Sequence, residues 1–245
     1  MKLSIIMYRI GRRAFRKIPP CSAVIAAGGS SKRMGSVGDK LFIPICDTPM
    51  IVHTMRAFQN CKHINEIIVV AREEIIDSIA ELCSQYDISK VAMIVCGGPT
   101  RVESVLNGVL AISKKAGLVA IHDGARPCVD SDIIIKTIAK ASKYHAAAPG
   151  VKVTSTLKSV KKGFIKKTVP REGLVEIQTP QVFDVDLIKA ALTKAVQDSS
   201  DITDDCMALE LMGFPVYVTE GRADNIKITT KEDIAIAEAI LAVNN

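Results

Sequence analysis

The stretch Ala23-Val24-Ile25-Ala26-Ala27-Gly28-Gly29-Ser30-Ser31-Lys32-Arg33-Met34-Gly35, followed by Lys40, sets the reading of the whole chain. A short apolar run that ends in two glycines is a buried strand feeding a tight turn. Small residues let backbone N–H groups close on a ligand, and the cations Lys32, Arg33 and Lys40 follow within one loop, as gripping a polyphosphate requires. Two better-known phosphate loops are excluded. The P-loop would need Gly-Lys-Ser/Thr after its first Gly, whereas Gly28 and Gly29 lead to Arg33 and Met34. The dinucleotide fingerprint Gly-x-Gly-x-x-Gly is supplied neither by Gly28-Gly29-Ser30 nor by Gly35-Ser36-Val37-Gly38. What remains suits the phosphates of one free nucleotide, the bland alternative being an ordinary strand-to-helix turn with solvated basic residues.

Outward from this stretch, buried-strand runs recur at residues 67–71, 91–95 and 119–122, separated by helical spacing at 50–58, 73–86, 101–113 and 133–144. Such alternation predicts an α/β fold with a doubly wound, mostly parallel sheet and a ligand beyond the carboxyl ends of its strands. Asp47 or Thr48 before Pro49, and Asp130 or Ser131 before Asp132, are the expected helix starts. The rhythm breaks at Val151. Residues 152–160 alternate, Lys161-Lys162-Gly163 turns the chain, and residues 164–169 continue, which reads as a β-hairpin. A hairpin this polar is marginal alone and needs a surface to pack on, such as a second subunit. Helices are expected at 184–195, 204–212 and 231–243, with a strand at 216–219. Residues 21–245 then form one domain with an inserted arm at about 151–171.

The chain of 245 residues is 48% hydrophobic and 24% charged, enough to bury a sizeable core. Its net charge of +6 resides in a tail: Lys2, Arg9, Arg12, Arg13, Arg16 and Lys17 precede the first acid, and without them 26 basic residues face 26 acidic ones. Residues 1–20 read as a basic, disordered extension, or translation begins at Met7. The neutral body and the absence of Trp argue against a nucleic-acid groove. No run approaches a membrane span. Seven dispersed cysteines without a C-x-x-C pair fit a reduced, cytoplasmic protein. The four histidines show no metal-ligand spacing and read as structural, so no metal held by protein side chains alone is expected.

Four further clusters fall where a doubly wound sheet puts its ligand. Gly97-Gly98-Pro99-Thr100-Arg101-Val102-Glu103-Ser104 follows a strand and opens a helix, either as an anion site or as a capping turn. His122-Asp123-Gly124-Ala125-Arg126-Pro127 puts a carboxylate and a guanidinium at a strand end, where a simple ion pair is the alternative. Thr168-Val169-Pro170-Arg171 and Gln178-Thr179-Pro180-Gln181 follow the arm. Ile202-Thr203-Asp204-Asp205 and Glu220-Gly221-Arg222-Ala223-Asp224-Asn225-Ile226-Lys227 close the set, with helix capping and a surface pair as their plain readings.

In this order, Ala-Ala-Gly with Arg33-Met34, His-Asp-Gly-Ala-Arg-Pro, Thr-Pro-Gln and Asp-Asn-Ile-Lys closely resemble the 2-C-methyl-D-erythritol 4-phosphate cytidylyltransferases of the non-mevalonate isoprenoid pathway, from about residue 22 to 241. The resemblance implies a Rossmann-like sheet of nucleotidyltransferase type, a β-hairpin dimerisation arm, and a homodimer. It implies CTP and a polyol phosphate as substrates, with Mg²⁺ bridging the CTP phosphates. Ala26, Ala27 and Gly28 would contact the nucleotide, and Arg33 and Lys40 would stabilise charge at the α-phosphate. Gly98 and Ser104 would lie near the cytosine base, with Arg101 in the same loop; Asp123, Gly124 and Arg126 would lie beside ribose and substrate. Thr156, Arg171, Thr179, Thr203, Asp224 and Lys227 would hold the methylerythritol phosphate or place its nucleophile, Thr156 and Arg171 from the partner's arm. Ser30-Ser31, Pro99 and Pro170 depart from the family pattern. A ribitol 5-phosphate cytidylyltransferase and a non-catalytic nucleotide-binding protein are the alternative readings on the same fold.

Overall fold

Alternate residues of the opening run face opposite sides of a sheet, and both sides are buried. In β1 (Cys21–Ala27), Cys21, Ala23, Ile25 and Ala27 enter one apolar core and Val24 the other. β4 (Ile64–Ala71) does the same, with Ile67, Val69 and Ala71 against Ile68 and Val70. Burial on both faces is why these strands read as continuous apolar runs. The computed structural model describes residues 18–29 and 39–244. The basic front segment and residues 30–38, Arg33 included, lie outside the described residues.

Between these strands, β2 (Pro44–Ile45) and β3 (Thr48–Pro49) form a small hairpin ahead of α1 (Met50–Asn60). There follow α2 (Ile76–Gln85), β5 (Val91–Cys96), α3 (Arg101–Ala111), β6 (Leu118–Asp123), α4 (Ser131–Tyr144) and β7 (Ala146–Lys152). The arm is β8 (Leu157–Lys161) and β9 (Phe164–Val169). After it come β10 (Val175–Ile177), β11 (Gln181–Asp184), α5 (Val185–Gln197), α6 (Asp205–Glu210), β12 (Tyr217–Glu220) and α7 (Glu232–Asn244). The main sheet runs β10-β7-β11-β6-β1-β4-β5, with β12 also paired to β7. Among the described residues only β10 and β11 run against the other strands of this sheet. One core packs α1, α2, α4 and α7, the other α3, α5 and α6. The doubly wound reading is therefore correct, and the carboxyl ends of β6, β1, β4 and β5 lie side by side.

Two expectations change in detail, and one strand was not expected. Neither Thr48 nor Asp47 caps α1: Pro49 takes the cap position, while Cys46 and Asp47 occupy positive φ in the two-residue turn of the small hairpin. Asp130 does cap α4, accepting from the Ile133 amide. The alternating run from Val151 is two elements, because Val151 and Lys152 finish β7 and the arm strand begins only at Leu157. β7 itself, Ala146-Ala147-Ala148-Pro149-Gly150-Val151-Lys152, carries no strand signature in sequence. Pairing on both edges makes it one, as it joins β12 in parallel and β10 and β11 in antiparallel. The arm turns at Lys162 and Gly163, both at positive φ, and leaves Val160, Phe164 and Ile165 58%, 73% and 65% exposed. Among the described residues it pairs with itself only, in a separate two-stranded sheet.

Candidate active site

Four parallel strands end on one cavity of about 540 Å³. β1 delivers Ala26 and Ala27 and then Gly28 and Gly29; β4 delivers Arg72; the turn after β5 delivers Gly98, Pro99 and Thr100; β6 delivers Asp123, followed by Gly124 and Ala125. Lys40 and Lys227 reach the same cavity from opposite ends of the sequence. Lys40 Nζ donates to the Ile228 carbonyl at 3.1 Å, and the Ile228 amide donates to the Ala125 carbonyl at 2.9 Å. The two lysines are thus tied to a common rim.

The turn beyond β5 is shaped by α3. Thr100 and Glu103 form a reciprocal capping box, Thr100 Oγ1 accepting from the Glu103 amide and the Glu103 carboxylate accepting from the Thr100 amide. Ser104 Oγ accepts from the Gly98 amide at 3.0 Å and donates to the Thr100 carbonyl at 2.8 Å. A Cβ on Gly98 would lie 2.5 Å from Glu103 Cβ, so only glycine fits this fold-back. The capping and anion-site readings of this segment are compatible. The cap satisfies the helix end while its first turn, with a positive dipole end, opens on the cavity.

Asp123 is the acidic residue of the cavity wall. Lys227 Nζ lies 2.9 Å from its carboxylate and Arg126 Nε 3.6 Å. Burial pushes this carboxyl up, but Lys227, Arg126 and Arg101 more than offset it and hold the group below its ordinary range. Behind it stands a directional chain. The Asp123 amide donates to Thr179 Oγ1 at 3.2 Å, Thr179 Oγ1 lies 3.0 Å from His122 Nδ1, and His122 Nε2 lies 3.3 Å from the Arg126 carbonyl. The carbonyl needs a donor, so Nε2 carries the proton and Nδ1 accepts from Thr179. Burial pushes the His122 pKa down to about 4, in keeping with a neutral ring. His122 is structural, as its sequence context indicated.

Of the residues singled out in sequence, Ala26, Ala27, Gly28, Lys40, Gly98, Arg101, Ser104, Asp123, Gly124 and Lys227 line the cavity. Arg33 lies outside the described residues. Arg101 is engaged elsewhere: both prongs of its guanidinium bond the buried Asp205, at 2.8 and 2.7 Å, which anchors α3 to α6. The remaining residues do not line the cavity. The Thr179 hydroxyl serves His122 and Asp123, and Arg126 Nη1 donates to the Asn225 carbonyl at 2.7 Å, so both brace the wall from behind. Asp224 pairs with Arg222, whose hydrogen bonds hold its carboxyl below the ordinary range. Thr203 is exposed, its hydroxyl 3.8 Å from Met207 Sδ. Thr156 and Arg171 are exposed on the arm, with Arg171 donating to the Thr154 carbonyl. Arg72 was missed in sequence. It lines the cavity and pairs with Asp39, which also caps the short turn presenting Lys40. Its signal was its place directly after the strand ending at Ala71.

The family model for 2-C-methyl-D-erythritol 4-phosphate cytidylyltransferase matches residues 21–243. A curated protein of that name from Halalkalibacterium halodurans is 43% identical over 221 residues, 90% of this chain and 96% of that one. One from Clostridium botulinum is 42% identical over the same shares. Among solved structures, the 4-diphosphocytidyl-2C-methyl-D-erythritol synthase of Anaerococcus prevotii superposes with a TM-score of 0.81 at 32% identity, covering 92% of this chain and all of its own. The 2-C-methyl-D-erythritol 4-phosphate cytidylyltransferase of Thermus thermophilus gives 0.75 at 28% identity, covering 90% and 98%.

Proposed function

The chain belongs to the 2-C-methyl-D-erythritol 4-phosphate cytidylyltransferase family, and on that footing we propose how its own residues divide the work. It is a nucleotidyltransferase that moves CMP from CTP to 2-C-methyl-D-erythritol 4-phosphate and releases pyrophosphate, a step of isoprenoid biosynthesis. The observation that carries the division of labour is the meeting of Lys40, Lys227, Asp123 and the glycine turn in one cavity at the strand ends.

A phosphate oxygen of the acceptor attacks the α-phosphorus of CTP in line, and the bond to the β-phosphate oxygen breaks as pyrophosphate leaves. The nucleophile is already an anion, so no proton has to be removed and no covalent intermediate is needed. Catalysis is positional and electrostatic. The amides at Ala27 and Gly28 and the first turn of α3 receive the nucleotide. Lys40, together with Arg33, bonds more strongly to the crowded, more charged transition state than to CTP. Lys227, as a point charge, takes the acceptor phosphate, and Asp123 neutralises it until the phosphate arrives. Arg171, as a two-pronged fork, and Thr156 act from the arm of a second copy, so that a homodimer completes each site.

Mg²⁺ fits as an ion carried by the triphosphate. The cavity offers one carboxylate, Asp123, and among the described residues no group of three or more His, Cys, Asp or Glu gathers to hold a metal. When bound, the ion would supply charge neutralisation on the triphosphate. Among the described residues no helix is long and apolar enough to cross a membrane.

The decisive experiment follows pyrophosphate release from CTP and Mg²⁺ with 2-C-methyl-D-erythritol 4-phosphate or ribitol 5-phosphate as acceptor. Turnover with the first and little with the second is expected. A preference for ribitol 5-phosphate would overturn the acceptor assignment.

A further inference from the structure

Two carboxamides lie behind the cavity wall without lining it. Asn225 is fully buried and Gln178 is 8% exposed. Asn225 Nδ2 donates to the Thr179 carbonyl at 3.0 Å and to Gln178 Oε1 at 3.3 Å. Gln178 Nε2 donates to the Arg222 carbonyl at 2.7 Å, while its Oε1 accepts from the Arg222 amide at 3.3 Å. The chain passes so close that a Cβ on Gly221 would sit 2.7 Å from Gln178 Oε1. Nδ2 faces two oxygen acceptors, so a flipped Asn225 would set oxygen against oxygen.

We propose that Gln178 and Asn225 are positioning residues, a buried carboxamide clamp that fixes the segment carrying Lys227 against the turn carrying Thr179 and thereby sets Lys227 opposite Asp123. One end of the clamp reaches the backbone of Asp123, because Thr179 Oγ1 accepts from the Asp123 amide. The other end reaches the ammonium, because Lys227 follows Asn225 by two residues and meets Asp123 at 2.9 Å. Carboxamides suit the task. Asn225 Nδ2 and both ends of the Gln178 amide meet their partners without adding a charge beside Asp123, Arg126 and Lys227, while Asn225 Oδ1 is buried without a hydrogen-bond partner among the described residues; an apolar residue at 225 would leave the Thr179 carbonyl without this donor. The inference rests on Lys227 holding the acceptor phosphate.

The test is a double-mutant cycle on the full-length enzyme. Asn225→Ala and Gln178→Met are each made alone and with Lys227→Ala, and KM for the acceptor, kcat, CTP affinity by calorimetry and thermal melting are measured. Asn225→Ala is expected to raise the acceptor KM by ~10-fold or more while CTP affinity stays within ~2-fold. The double variant is expected to be no worse than Lys227→Ala by more than ~3-fold, since the clamp acts through that lysine. If Asn225→Ala melts below the assay temperature, Gln178→Met opens the same clamp from its other side and enters the same cycle. Raised KM in Lys227→Ala with multiplying losses in the double variant overturns the clamp alone. Unchanged acceptor KM in Lys227→Ala overturns the phosphate-holding reading and the clamp with it.

Discussion

At the scale of single residues, charge and burial separate groups that act on substrate from groups that hold them. Lys40 opens on the cavity, braced by the Ile228 carbonyl. Lys40→Ala is expected to lower kcat by ~10²-fold with little change in melting temperature, because its interaction grows toward the transition state. Steady-state turnover near wild type would refute the assignment. His122 is a holding group, and its titration is readable in stability. The unfolded chain takes up its proton near the ordinary value of 6.5, the folded protein only near 4, so unfolding binds a proton in that window. This contribution is fully present above the unfolded value and is lost as pH falls from 6.5 toward 4, to the extent of about 3 kcal/mol. Urea midpoints across that range should decline less in His122→Asn than in wild type. Parallel curves would mean that the ring is not kept neutral by the fold.

At the scale of elements, what matters is how each end is closed. The capping box of α3 fixes the turn that faces the cavity, and Thr100→Ala removes the side-chain acceptor for the Glu103 amide. The expected loss is about 1 kcal/mol of unfolding free energy, together with weaker CTP binding as the turn loosens. A variant with wild-type urea midpoint and wild-type CTP affinity would show that the cap does not set the turn. The arm is the opposite case. Its turn is well specified by Lys162-Gly163, yet Phe164 and Ile165 find no cover among the described residues. An element of this kind is complete only against another surface.

At the scale of the whole molecule, the proposed homodimer predicts that each site draws on two chains. On that proposal Lys40→Ala would damage the site of its own chain and Arg171→Ala the site of its partner, so mixing the two variants after dissociation should rebuild one good site in each hybrid dimer. Statistical exchange then restores about a quarter of wild-type activity from two nearly inactive parents. No recovery on mixing would mean that Arg171 does not serve a partner's site. The sequence alone determined the parallel strands β1, β4, β5 and β6, the doubly wound character and the loops at those strand ends, because strands buried on both faces must be apolar throughout and helices between them must be amphipathic; β7, β10 and β11 it did not show. It pointed to the loops at the strand ends, and the family resemblance implied ten of the cavity residues there, Lys40 and Lys227 among them. Only the tertiary structure decided which polar groups face the cavity and which stand behind it. Thr179 and Arg126 carry the same chemistry as the residues that line the cavity, and what sets them behind it is the partner each meets, His122 and the Asn225 carbonyl; Arg101 lines the cavity but is held by Asp205, from a distant part of the chain. β7 and Arg72 were hidden for the same reason, since pairing on both edges and the approach of Asp39 are contacts at a distance that no local pattern records.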